Sequence, residues 1–210
     1  MARKPADQSV HRDDIIQAAA DVLKDQGYEA TTMKDIAARV DLTAASLYHH
    51  FKNKDFLLLA VIELGLQHAI EIIEPIVQSD LSASEKLTQM IHTHINEITK
   101  NPAVGAALVF EIRSLMSVST AGRGNGDTQE YVERRDQFFK QRDYFEKMFR
   151  ETIKIGIADG EFRQVDAAIV AKSMLGAQNW VGVWYNAKGR LAGETIATIM
   201  ADTFLTSLKK

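Results

Sequence analysis

The chain has 210 residues, 46% of them hydrophobic and 25% charged, with three prolines and no cysteine. That composition excludes a disordered chain and a disulfide-built secreted scaffold, and it removes cysteine nucleophiles, iron–sulfur centres and cysteine-based zinc sites. Net charge is −3, and up to Lys54 eight basic residues are balanced by eight acidic ones, so any reading of nucleic acid must rest on placed side chains rather than a broad positive field.

The opening Met1-Ala2-Arg3-Lys4-Pro5 leads into a polar stretch, and no 18-residue segment is both apolar and free of charge. Neither a signal peptide nor a membrane span is expected, and the expected location is the cytoplasm. Ile15, Ala19, Val22 and Leu23 then line one face of a helix that Gly27 should stop. Thr32 with Asp35 three residues on reads as a capping box opening a short helix over Met33–Val40, with Met33, Ile36, Ala37 and Val40 inward. After Asp41-Leu42, Thr43 can cap a third short helix, Ala44–His50.

A longer helix is predicted from Lys54 to Val77, with Pro75 kinking or ending it. Ser82 or Ser84 opens the next, through Leu87, Ile91, Ile95 and Ile98. Asn101-Pro102 is a restart signal for a helix carrying Leu108, Phe110, Ile112 and Leu115. Residues 117–127 are Ser/Gly-rich and read as a mobile loop. A charged helix over Gln129–Ala158 follows, ending at Gly160, with helices over 166–184 and 192–208 to finish. The fold class is all-α: a tri-helical head over residues 10–53 and a larger bundle over 54–210, joined by a continuous helix.

The two short helices and their tight turn, packed on the first helix, form a helix-turn-helix, whose second helix enters a major groove roughly 12 Å wide. Its outward face carries Thr43, Ala45, Ser46 and His49, while Leu47 points inward and Tyr48 sits at the edge, within reach of a phosphate. Thr32 can offer its hydroxyl and nearby amides to a second phosphate, and Lys52 and Lys54 add charge.

Gly27-Tyr28-Glu29-Ala30-Thr31-Thr32-Met33, Ile36-Ala37, Val40, Leu42 and Leu47-Tyr48-His49-His50-Phe51-Lys52-Asn53-Lys54 together resemble the N-terminal domain of TetR-family transcriptional regulators. The resemblance implies a DNA-contacting set of Thr32, Thr43, Ala45, Ser46, Tyr48, His49 and Lys54, with Tyr48 and Lys54 on phosphates. Asp41 stands where the family usually has glycine; aspartate tolerates the positive φ of such a turn better than most residues.

The bundle resembles the family's ligand-binding and dimerisation domain. The last two helices would then pair across a two-fold axis, through Ala168, Met174, Leu175, Val181, Ile196, Ile199, Met200 and Phe204, and the homodimer would bind a double-stranded palindromic operator. An apolar, aromatic pocket would draw on Phe110, Leu115, Met116, Phe145, Met148, Phe149, Met174, Trp180 and Trp184, with Arg113, Arg134, Arg135, Arg142, Asn179 and Tyr185 orienting the ligand.

Arg134-Arg135-Asp136, Arg142-Asp143-Tyr144-Phe145, Gly156 through Gly160-Glu161-Phe162-Arg163, Gly176, Asn179-Trp180 and Trp184-Tyr185 look like the subgroup governing fatty-acid or steroid catabolism. That resemblance implies a repressor released by an acyl-coenzyme A thioester, its acyl part in the pocket and its phosphates on arginines. A small hydrophobic or aromatic effector, or a multidrug-type pocket, is the alternative; a helical adaptor without a DNA role is a third reading. No cofactor, metal or catalytic group is expected, since His92 and His94, two apart, point about 200° away from each other on a helix, and no catalytic motif occurs.

Overall fold

The computed structural model describes residues 10–117 and 125–210, without the side chains of Arg113, Ser114, Ser117 and Asn125. The described residues are helical with no strand, in the order α1 (Arg12–Ala30), α2 (Met33–Arg39), α3 (Ala44–His50), α4 (Lys54–Gln78), α5 (Ala83–Lys100), α6 (Pro102–Phe110), α7 (Ile112–Ser117), α8 (Asn125–Ala158), α9 (Ala167–Trp184) and α10 (Gly193–Leu208).

Local chemistry sets most boundaries. Gly27 takes φ 75°, breaking the regular turn of α1 where a stop is predicted. Thr32 and Asp35 close a reciprocal capping box on α2, Ser82 and Glu85 do the same on α5, and Asn101 caps α6 ahead of Pro102. Asp41 adopts φ 55° in the turn between α2 and α3, the left-handed conformation expected there. Gly160, at φ 80°, ends α8.

Three boundaries differ from the sequence reading. The helix after Asn101 breaks at Glu111, which is buried and whose Oε1 accepts the Tyr28 amide at 3.2 Å. α8 begins four residues early, at Asn125, with Asp127 favourably placed in its first turn. α4 continues past Pro75 to Gln78. Residues 118–124 of the expected loop lie outside the described residues.

α4 organises the fold. Its residues Phe56 through Ile62 are buried without interruption, the mark of a helix covered on all sides. By length and composition α4 is apolar enough to cross a membrane, but over half of its most apolar window is buried inside the protein, as in a core helix. α1, α5, α6 and α8 pack around it, α10 lies along α5, and α9 packs on α5, α6 and α8. One hydrophobic core runs from Ile15 in α1 to Leu208 in α10.

The motif Gly156–Arg163 is structural. Phe162 packs over Gly156, Glu161 accepts the amides of Ala83 (3.0 Å) and Ser84 (2.9 Å) at the start of α5, and Arg163 Nε donates to the Ser207 carbonyl at the end of α10. α6 and α9 meet backbone to backbone: a Cβ on Gly182 lies 3.0 Å from the Gly105 backbone. Gly182→Val should therefore force the two helices apart and cost about 1–3 kcal/mol. Urea unfolding checks this, with a lower midpoint expected at an unchanged slope.

Candidate nucleic-acid interface and effector cavity

Leu47, the buried residue of α3, anchors that helix to the head, while Thr43, Ala45, Tyr48 and His49 are exposed and Ser46 is half-exposed. Thr43 Oγ1 accepts the Ser46 amide at 3.1 Å, and the two hydroxyls lie 2.9 Å apart. The predicted reading face therefore projects from one side of a capped helix. Thr32 differs from expectation: its amide (3.0 Å) and hydroxyl (2.6 Å) both donate to Asp35, whose carboxyl these bonds hold below the usual range. A phosphate at this end must meet the first-turn amides of α2 rather than the Thr32 donors.

The two lysines after α3 tie the head to the bundle. Lys54 Nζ donates to the Tyr28 carbonyl at 2.7 Å and stands 4.2 Å from the centre of the Tyr28 ring, so it clamps the end of α1 to the start of α4. Lys52 Nζ pairs with Asp127 (2.8 Å) and Glu130 (2.5 Å) in the first turns of α8, and these bonds raise its pKa. Within the bundle, along the contact of α4 with α8, Phe56 meets Tyr131 edge-on at 5.6 Å, Arg134 pairs with Glu63, and at the surface Tyr144 donates to Glu74.

Between α4, α5, α6, α7, α8 and α9 lies a cavity of about 390 Å³. Leu66, Ala69, Leu108, Ile112, Phe138, Phe145 and Leu175 give it apolar walls, and Arg142, Asp143, Glu146, Lys172 and Asn179 supply its polar groups. His94 forms part of its wall. Its Nδ1 lies 3.1 Å from Gln178 Oε1, its ring meets Phe145 edge-on at 5.1 Å, and burial lowers its pKa to about 4, so the imidazole is neutral at physiological pH. A second cavity of about 320 Å³ shares Ala69, His94 and Leu108 with the first and extends to Ile16, Leu64, Ile98 and Val104.

Of the predicted pocket residues, Phe145, Arg142 and Asn179 line the first cavity, and Phe149 is buried behind His94. Phe110, Met116, Trp180 and Trp184 are instead on the surface, each about half exposed or more, because they fall on the outward sides of α6, α7 and α9. Leu115, Met148 and Met174 are core. Arg134 and Arg135 are engaged by Glu63 and Asp136, and the side chain of Arg113 lies outside the described residues. Of the expected dimer-face residues, Met174, Leu175, Val181 and Ile196 are buried within the chain, Ala168, Met200 and Phe204 are partly buried, and Ile199 is exposed, as are Ile169, Trp180 and Trp184 nearby in sequence.

The cavity residues missed in sequence include Leu66, Ala69, Asp143, Glu146, Lys172 and, with its buried partner Gln178, His94. The available signal was a histidine on the apolar stripe of Leu87, Ile91, Ile95 and Ile98, with α5 carrying its polar residues elsewhere. His92 is half-buried on another side of α5, and no group of three metal-ligating side chains occurs among the described residues.

Residues 15–61 match the family model for bacterial regulatory proteins of the tetR family, and residues 128–208 match that of the tetracyclin repressor-like C-terminal domain. The chain belongs to the TetR family. It is similar to the transcriptional repressor KstR2 of Mycolicibacterium smegmatis, with 29% identity over 194 residues covering 91% of this chain and 87% of that one. Among solved structures it resembles the TetR-family regulator PfmR of Thermus thermophilus at 26% identity and TM-score 0.78, covering 93% and 99% of the two chains. It also resembles AibR, solved with isovaleryl coenzyme A and operator DNA, at 26% identity and TM-score 0.73, covering 94% and 97%.

As a TetR-family member the protein is a DNA-binding transcriptional regulator and not an enzyme. The neutral, buried His94 has a consequence for stability. The unfolded chain takes up a proton near pH 6.5, the folded chain only near pH 4, so acidification between these values favours unfolding by up to about 3 kcal/mol. Stability should be full above pH 6.5 and fall towards pH 4. His94→Phe should flatten that part of the profile, measured by urea unfolding across the range.

Proposed function

We propose that the protein is a homodimeric repressor that holds a palindromic operator through α3 and is released by an acyl-coenzyme A thioester. In this reading residues 10–53 form the DNA-binding head, residues 54–210 sense the effector and dimerise, and the protein acts in the cytoplasm beside its operator. The observation that carries the effector class is the first cavity: a partly open space with apolar walls whose polar, solvent-facing end bears Arg142 and Lys172. Lys172 is held by Glu146, so Arg142, which has no ion-pair partner among the described residues, is the cation left for a phosphate. AibR, with its isovaleryl coenzyme A, supports the same class.

On DNA, the side chains of Thr43, Ala45, Ser46 and His49 face base edges, Tyr48 meets the backbone, and the α2 end beside Thr32 meets a second phosphate. Lys54 acts mainly by fixing α1 against α4, with any phosphate contact secondary. The dimer partner is a second copy docking on Ile169, Trp180, Trp184 and Ile199, continuous with Phe110, whose ring meets Trp180 edge-on at 5.9 Å. Two half-exposed tryptophans one turn apart on α9, beside Phe110 of α6, fit a buried interface better than a solvated surface.

A compact neutral or aromatic effector held wholly within the first cavity is the competing reading, favoured by the way Asp143 and Glu146 offset the two cations of its rim. Fluorescence anisotropy on the gene's own upstream DNA, at fixed salt and with added thioester, separates the two. Saturable binding reversed by acyl-coenzyme A, but not by coenzyme A alone, is the expected result; binding indifferent to thioesters points to the compact effector. Ser46→Glu or His49→Glu should weaken operator binding at least tenfold while leaving the fold intact, and unchanged binding would overturn the assignment of α3. Trp180→Asp should shift the chain towards monomer in sedimentation velocity.

A further inference from the structure

The second cavity differs from the first in one respect: the DNA-binding head itself forms part of its wall, through Asp13, Ile16 and Gln17 of α1. Gln17 also exchanges hydrogen bonds with Asn101, the cap of α6, so α1 is fastened to the bundle at this cavity. The partition between the cavities is thin, made of Ala69, His94 and Leu108. On this basis, and resting on the acyl-coenzyme A reading above, we propose that the second cavity is the trigger subsite. The hydrocarbon end of the effector passes the His94 partition and lodges against α1, while its thioester group sits at His94.

Charge fixes the direction. The polar edge of the second cavity carries Asp13, Glu71 and Glu97, with His68 and Lys100 both turned onto Glu97. A phosphate there is repelled. The first cavity has Arg142 and Lys172 beside Asp143 and Glu146, so the anionic end of the ligand lies on that side. Beyond the partition, Ile16, Leu64, Ile98, Val104 and Leu108 accept hydrocarbon.

His94 suits an uncharged polar group at the crossing. With Nδ1 bonded to the Gln178 side chain, the ring is fixed in orientation, and its neutrality makes it a hydrogen-bonding group rather than an ion. Gln178 is fully buried with its amide nitrogen unpartnered, so the pair retains a polar demand that the apolar core does not meet.

An occupant of the second cavity touches the DNA-binding head directly, whereas one confined to the first touches only the bundle. Release from DNA then depends on chain length, because only a ligand long enough to reach α1 binds the two head positions differently.

Calorimetry on the full-length protein with acetyl-, butyryl- and octanoyl-coenzyme A, together with hydrogen exchange of residues 12–26, tests this. Wild type should bind the octanoyl thioester at least tenfold more tightly than the acetyl, and only the octanoyl should alter exchange in α1. Ala69→Phe, which thickens the partition, should cut the octanoyl-to-acetyl affinity ratio below threefold. If that variant does not fold, Leu64→Arg, at a position two-fifths exposed in the second cavity, serves instead. Thioester binding that ignores chain length, or a ratio that survives in the folded variant, overturns the trigger subsite alone. Failure of wild type to bind any of the three overturns the thioester reading as well.

Discussion

The unbroken burial of Phe56 through Ile62 is the constraint on which the rest of this molecule depends. A helix covered on every side cannot shift without repacking all its neighbours, since protein interiors are close to crystal density. Here those neighbours include α1 of the head and α5, α6 and α8 of the bundle. Head and bundle therefore share a core, and there is no slack linker in which a signal could be lost.

Of the polar contacts across the head–bundle seam, those to α8 are exposed and individually weak. Lys52 with Asp127 and Glu130, about half exposed, is such a pair. Deeper contacts, such as the Phe56–Tyr131 pair, hold the register of α4 against α8. The result is one stiff axis with polar ties at the surface, and under the proposed function a ligand among α4, α5, α8 and α9 would bias the head by favouring one packing over another. Lys54 belongs to the stiff part, because its ammonium lies between the Tyr28 carbonyl and the Tyr28 ring.

His94 links stability to the polarity of the cavities it lines. It is stabilising only while neutral, because burial penalises its charged form more than the Gln178 hydrogen bond and the nearby Glu97 carboxylate favour it. That same neutrality makes it fit for a carbonyl or hydroxyl and unfit for a phosphate. The charged ends of the two cavities, one mixed and one acidic, then give an elongated ligand a preferred direction.

The sequence by itself determined the helices and the reading head. Caps at Thr32, Thr43 and Asn101, the stop at Gly27 and the turn at Asp41 are short-range hydrogen-bonding and φ preferences, so they are legible from neighbouring residues. The outward face of α3 followed from the inward turn of Leu47. The cavities of the bundle and the exposed aromatic face of α9 were decided only by tertiary structure. Trp180 and Trp184 look like pocket residues by composition, but which side of α9 faces inward depends on its backbone approach to α6 at Gly105 and Gly182. His94 and Gln178, 84 positions apart, meet only because α5 and α9 pack together. Local propensity carries no information about which helix faces meet, and it is that meeting which makes a cavity.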